Sequence, residues 1–329
     1  MTSVLPPPPA PCTEWHGFPK QDDPNAVCTV QSLSPATVKV PEFMAIHPTA
    51  KEDGFKNDHP IIVSLIRHLP SNSFVLFDLG LGKNYEDYIK KDQLESIEEV
   101  FEPKAGEDVD EVLNKIGVKK EDIKFIIISH HHWDHCSHDF SRFSQAQVIV
   151  GPFTHKQVPA LHTDYYNPSA SLKTLELTWS HSPTHILTFR HSHDLFDDGS
   201  LLIVPLPGHT PGHIGAVVRT STESGHEEFV VLAGDCAHHP FCLSRRPEEI
   251  HFRPPMWREK GEPVDKPAKH SMHDDHEEAE RSLERLKALE KRNEFMVILA
   301  HDFRRWNAWK KDEHGVAGVS GWRKKAFKI

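Results

Sequence analysis

A chain of 329 residues with 37% hydrophobic content can build one large domain or two modest ones, and its composition is not that of a disordered chain. Its formal net charge is -10 and no basic cluster recurs along a face, so nucleic acid is not expected as a partner, whereas small neutral or cationic molecules are. Five cysteines without a C-x-x-C pair read as reduced thiols rather than a disulfide framework; with no leader-like start and no membrane-spanning apolar run, a cytoplasmic protein without membrane contact is expected.

Residues 1–35, rich in Pro, Ser, Thr and Asp, predict an N-terminal arm, and 36–329 a single domain. The runs Ile61–Ile66 and Phe74–Asp78 flank the turn signal Pro70-Ser71-Asn72-Ser73, which predicts a hairpin running out into Asp78-Leu79-Gly80-Leu81-Gly82. Val109, Val112, Leu113 and Ile116 recur at helical spacing behind Asp108, and Gly117 ends that helix before the β-branched run Phe125–Ile128. Further strands are predicted at Val148–Val150, Leu201–Leu206, Phe229–Ala233 and Met296–Ala300. A charged helix from about His276 to Arg292 carries Ala279, Leu283, Leu286 and Leu289 on one stripe. Strands mixed with helices imply an α/β or α+β layered core. Two insertions break the rhythm, at about 152–198 with Tyr165, Tyr166, Trp179, Phe189 and Phe196, and at about 240–275 with Phe252, Met256 and Trp257. Long irregular segments inside a compact domain are usually functional, so their aromatics are expected to cover a site.

The chemistry concentrates at the end of one predicted strand, in Ile128-Ser129-His130-His131-His132-Trp133-Asp134-His135. Imidazoles and a carboxylate this close together can hold two divalent metals and generate hydroxide at neutral pH. Three more strand ends carry ligand types: His209 in Pro207-Gly208-His209-Thr210-Pro211-Gly212-His213, Asp235 in Ala233-Gly234-Asp235, and His301 in Leu299-Ala300-His301-Asp302. Strands ending on one edge of a sheet would gather these side chains. Imidazole and carboxylate without thiolate suit Zn²⁺ in an open, catalytic coordination. In a chain with 26 histidines an isolated one is weak ground for a ligand, so His131, His138, His155, His162, His213 and His239 are read as surface or supporting residues. Cys136 and Cys236 are read as core, Asp302 as a cap or orienting group, and Trp133 as packing beneath the site.

The motif H-x-H-x-D-H, filled by His130, His132, Asp134 and His135 and followed by a later His, Asp and His, resembles that of the metallo-β-lactamase superfamily. The resemblance runs from about Ile61 to Asp302, with Asp78 where that family carries an acidic residue after an early strand. It implies an αββα sandwich, two mixed sheets face to face with helices outside, and a dinuclear site along one edge. Carried over residue by residue, His130, His132 and His209 would hold the first metal, Asp134, His135 and His301 the second, and Asp235 would bridge them. Two Zn²⁺ per chain are implied, or other divalent transition metals. A bridging hydroxide would be the nucleophile, with Asp134 placed to orient it or shuttle a proton.

Within that superfamily the resemblance is to the lactonase branch and to fungal γ-lactamases that open benzoxazolinone-type lactams. Oxygen-reducing diiron relatives carry a Glu where His132 stands. The few residues after His301 do not suggest the glutathione-binding helical domain of glyoxalase II relatives. In the lactonase branch a Tyr three residues after the bridging Asp contacts the substrate carbonyl; here that position is His238, whose imidazole could donate to an oxyanion instead. The expected function is therefore a dinuclear zinc hydrolase opening a lactam or lactone, with a small aromatic or cyclic substrate. A thioesterase or arylsulfatase of the same superfamily is the alternative, and a metal-binding module without turnover a further one.

Overall fold

The computed structural model describes residues 14–18, 23–46, 56–154, 173–179, 185–223, 227–244, 253–259, 261–263 and 265–324. Neighbouring residues of its central strands belong to different cores. Ile126 and Ile128 face one apolar cluster while Ile127 between them faces another, and Leu202 and Val204 divide from Leu201 and Ile203 in the same way. A strand apolar on both faces cannot meet water on either side, so each sheet must be covered twice.

Two sheets meet that requirement. The first contains β1 (Cys28–Pro41), β2 (Lys56–His68), β3 (Ser73–Phe77), β5 (Lys104–Ala105), β6 (Ile123–Ile128), β7 (Gln147–Val150), β8 (Lys173–Glu176) and β14 (Ala317–Gly318). Its order is β14-β1-β2-β3-β6-β7-β8 with β5 on β1, antiparallel from β1 to β3 and parallel from β3 to β8. The second, ordered β13-β12-β11-β10-β9, comprises β9 (His193–Asp194), β10 (Leu201–Pro205), β11 (Ile214–Ser221), β12 (Glu228–Leu232) and β13 (Phe295–Ile298), and only β12 and β13 are parallel. Val75, Phe77, Ile127 and Ile149 of the first sheet pack on Ile203, Ala216, Val230 and Ile298 of the second. The helix Val109–Lys115 covers the outer face of the first sheet through Val109, Val112 and Leu113. The charged helix (His276–Glu290) covers the second through Leu283, Leu286 and Leu289. This is the expected αββα sandwich. No helix among the described residues is long and apolar enough to cross a membrane.

Local chemistry sets the boundaries. Asp108 and Glu111 form a reciprocal capping box that starts the helix Val109–Lys115, and Asp275 starts the later helix by accepting from the Glu278 amide at 2.9 Å. Asn72, with φ 55°, makes the hairpin turn between β2 and β3.

The arm expected over residues 1–35 is corrected from Cys28 onward, because β1 begins there and pairs with β2 along its length. Cys28, Val30 and Leu33 are buried, and Pro35, which has no amide to donate, falls where the register shifts between Leu33 and Ala36. The first insertion also differs from expectation. Trp179 and Phe196 pack against the inter-sheet core, Phe196 stacked on His68 with ring centres 3.8 Å apart, and Phe189 is buried under the second sheet. None of the three covers a site. Tyr165, Tyr166, Phe252, His155 and His162 lie outside the described residues.

Leu286 is fully buried where the charged helix meets the second sheet. Leu286→Ala is expected to cost about 3 kcal/mol of stability in urea unfolding, with the metal stoichiometry of the folded protein unchanged.

Candidate metal centre

The loops leaving β3, β6, β10, β12 and β13 lie on one edge of the sandwich and are tied to one another by backbone hydrogen bonds. Ile214 donates to Ser129 O at 2.9 Å, Ala300 to Gly234 O at 2.9 Å, Ile62 to Ala300 O at 2.9 Å, and Asp78 to Ile127 O at 2.8 Å. Each bond fixes the backbone beside a predicted ligand. Gly234 adopts φ +49°, and a Cβ there would meet His213 Nε2 at 2.7 Å. That close approach lets His213 accept from the Asp235 amide at 3.0 Å and set the carboxylate's direction.

All seven predicted ligands converge in two adjoining clusters, His130–His132–His209 and Asp134–His135–Asp235–His301. The short helix Trp133–Cys136 carries Asp134 and His135 into the second cluster, with the His135 ring still 4.1 Å from that of His130. His209 Nε2 lies 3.1 Å from His130 Nε2 and 2.7 Å from His132 Nδ1. Asp235 Oδ2 is 3.3 Å from His135 Nε2 and 3.8 Å from His209 Nε2, so this carboxylate touches both clusters. His301 Nε2 is 3.1 Å from Asp134 Oδ2 and 3.4 Å from Asp235 Oδ1.

The donor set fits metal. Two ring nitrogens face His209 Nε2 inside hydrogen-bond distance, and one proton cannot satisfy three such atoms. His135 Nε2 and Asp235 Oδ1 are buried without a hydrogen-bond partner. A divalent cation in each cluster would answer both observations, and nitrogen and oxygen donors without thiolate are those of zinc and similar ions. The far sides of the rings are held as ligand histidines usually are. Asp78 accepts from His135 Nδ1 at 2.8 Å and from the Ser129 amide and hydroxyl at 2.7 and 2.9 Å, while Pro60 O accepts from His301 Nδ1 at 3.0 Å.

Electrostatics divides the two clusters. Burial pushes His130 and His209 well below the ordinary imidazole value and His132 to about 4. In the second cluster burial again disfavours charge, but Asp235 and the other carboxylates outweigh it. They hold His135 well above the ordinary value and His301 at about 10. Burial would favour neutral Asp235, yet His301, His135 and His238 hold its pKa well below the carboxylate range.

The family model for the metallo-beta-lactamase superfamily matches residues 60–301, which span every one of these ligands. The chain belongs to the metallo-β-lactamase superfamily. Among relatives, a metallo-hydrolase, mfmC, of Annulohypoxylon moriforme is 30% identical over 58% of this chain and 52% of its own length. The Gamma-lactamase FDB1 of Fusarium pseudograminearum is 29% identical over 58% of this chain and 48% of its own. The chain therefore spans about half the length of these relatives. Among solved structures, an N-acyl homoserine lactone hydrolase with N-hexanoyl-L-homoserine bound at its catalytic metal center superposes with a TM-score of 0.59 at 18% identity, over 87% of this chain and 97% of that one. That likeness speaks to the fold.

Other predicted residues have definite places on this superfamily scaffold. His238 is buried beside the ligands, its Nε2 3.3 Å from Asp235 Oδ2 but without a hydrogen bond. Cys136 and Cys236 are buried, burial raises both thiols, and Cys136 Sγ donates to His132 O at 3.2 Å. Asp302 caps the short helix Phe303–Ala308 by accepting from the Arg305 amide at 2.9 Å. Trp133 does not pack beneath the site: it stands in the wall of the adjoining cavity, its ring 5.9 Å from Phe101. The helix Lys91–Phe101, which forms part of that wall, and His273, whose Nδ1 is 3.3 Å from His209 Nδ1, were not expected. Leu94, Ile97 and Phe101 carry a helical spacing that could have revealed the helix. Nothing in the sequence sets His273 apart from the other histidines.

In the metal-free protein His301 holds its proton up to a pH of about 10, and His135 is likewise charged at neutrality. A cation entering the second cluster must expel those protons, whereas the first cluster is already neutral. Loading at pH 7 is expected to release roughly two protons, with second-cluster affinity rising as pH rises. Calorimetry in buffers of different ionisation enthalpy measures the release, and loading without it would contradict these charge states.

Proposed function

We propose that the chain is a metal-dependent hydrolase that opens a cyclic amide or ester, uses two zinc ions, and prefers aryl-fused lactams of the benzoxazolinone type. The observation that carries this reading is a cavity of about 1070 Å³ that reaches both ligand clusters. His132, Asp134, His209, Asp235 and His301 form its floor, and Tyr88, Phe101, Trp133 and Trp257 stand in its walls. A flat ring can lie against such walls with its carbonyl over the floor. The likeness to a fungal gamma-lactamase supports the same substrate class.

Bound in the two clusters, divalent ions supply Lewis acidity toward water and toward the substrate carbonyl. His130, His132 and His209 would hold one ion and Asp134, His135 and His301 the other, with Asp235 shared. The remaining work falls to the chain. Asp134 Oδ2 lines the cavity 3.1 Å from His301 and can orient water or hold a proton there. His238 offers a buried, unpartnered Nε2 to the same cavity, which suits a donor to the carbonyl oxygen as charge builds on it. The aromatic walls limit water around the scissile bond. The leaving nitrogen must take up a proton as the C–N bond breaks, and Asp134, which can hold the proton given up by the attacking water, is placed to pass it on.

A panel of lactones, aryl-fused lactams, β-lactams and thioesters, read by product mass on metal-loaded protein, tests the substrate class. Aryl-fused cyclic substrates should turn over fastest; preference for a thioester over every cyclic substrate would replace this reading. Asp235→Ala should lose metal and activity together, and retention of both would remove Asp235 from the bridge. His238→Ala should keep both metals and lower kcat about 100-fold; unchanged kcat would end its role as donor.

A further inference from the structure

His273 makes a contact that its own segment does not require. Its Nδ1 lies 3.3 Å from Nδ1 of His209. The residue is 6% exposed, and its Nε2 is buried without a hydrogen-bond partner. Two imidazole nitrogens at that separation share one hydrogen, so one donates and the other accepts. His209 turns Nε2 toward His130 and His132, where a metal needs its lone pair, so Nδ1 of His209 carries the hydrogen and donates. His273 is the acceptor, and its own hydrogen is on Nε2.

The backbone delivers His273 to that position. Asp274 donates to His209 O at 3.2 Å and Asp275 to Gly208 O at 2.9 Å, so the segment is zipped onto the His209 loop. Ser282, in the second turn of the following helix, donates to Pro207 O at 2.7 Å. Gly208 has φ +125°, and a Cβ there would meet the Ala279 amide nitrogen at 2.1 Å, so only glycine lets the loop and the helix start come this close. The His273 amide is itself fixed, donating to Ser271 Oγ at 3.1 Å.

The partners of three other candidate ligand rings make the contrast. Asp78 stands behind His135, Pro60 O behind His301, and Ser129 Oγ behind His130 at 3.0 Å. Those backing atoms are oxygens; behind His209 it is an imidazole nitrogen. A neutral nitrogen acceptor polarises the ring less than a carboxylate does, so His209 is a weaker donor to metal than His135.

We propose that His273 is the positioning residue of the first metal site: by accepting from Nδ1 of His209 it fixes that ligand's tautomer and ring plane and sets how tightly the His130–His132–His209 cluster holds its ion. The proposal rests on the reading of the two clusters as metal sites. The chemistry at risk is metal affinity, since His273 is not among the cavity-lining residues and touches a ligand rather than substrate.

The full-length chain, stripped of metal, is titrated with Co²⁺ against a chromophoric chelator while the cobalt absorption bands are followed. His132→Ala identifies which binding event belongs to the first cluster. His273→Ala should weaken that event by about 10- to 100-fold and leave the other within about twofold, and His273→Gln, which keeps an acceptor, should recover most of the loss. A His273→Ala titration that superimposes on wild type overturns the proposal. Equal weakening of both events with a lowered Tm, not recovered by His273→Gln, also overturns it, because His273 would then support the fold and not the ligand. Fewer than two ions in the wild-type chain counts against the dinuclear reading instead, and is read from the wild type alone.

Discussion

Asp235 is 2% exposed, buried at the floor of the cavity. A buried carboxylate persists only if cations or donors surround it, and here His135 and His238 each approach Oδ2 to 3.3 Å while His301 approaches Oδ1 to 3.4 Å. Its backbone is fixed from the other side by His213, across a glycine that leaves no room for a side chain. The rest of the edge is arranged around this charge. The two histidine clusters adjoin because both face one carboxylate, and the loops that carry them are bonded to one another rather than to solvent.

That arrangement explains why two sheets are needed. His130, Asp134 and His135 follow a strand of the first sheet, whereas His209, Asp235 and His301 follow strands of the second. Face-to-face packing brings the two sets to one edge, and the link from Ile214 to Ser129 joins them directly. The inter-sheet core therefore holds the centre together, and ligand geometry and stability share a cause.

The clustering of the seven candidate ligands was legible because they follow apolar runs in the sequence, and the seven strands read from such runs all correspond to strands of the structure. Legibility failed where position depended on contacts distant in sequence. Residues 28–35 looked like part of an arm because the whole stretch 1–35 is rich in Pro, Ser, Thr and Asp, yet they pair with β2 and a register shift accommodates Pro35. Trp179, Phe189 and Phe196 looked like a cover, but aromatic content cannot tell a loop that shields a ligand from one that fills a core. His273 owes its place to hydrogen bonds between residues 274–275 and 208–209, and no local spacing encodes that pairing. The cavity wall depends on Lys91–Phe101, an amphipathic helix whose apolar side meets Ala36, Val38 and Val40 of β1 in one cluster.

The central claim is that one carboxylate is shared by two ions in adjoining clusters. K-edge X-ray absorption on the zinc-loaded chain tests it most directly, because scattering between metals is visible only when the two sites are filled and close together. The account predicts nitrogen and oxygen neighbours without sulfur and a zinc to zinc separation of about 3.5 to 4 Å, lost in Asp235→Ala. A spectrum of the fully loaded wild-type chain with no metal to metal scattering, or with sulfur among the neighbours, would contradict it.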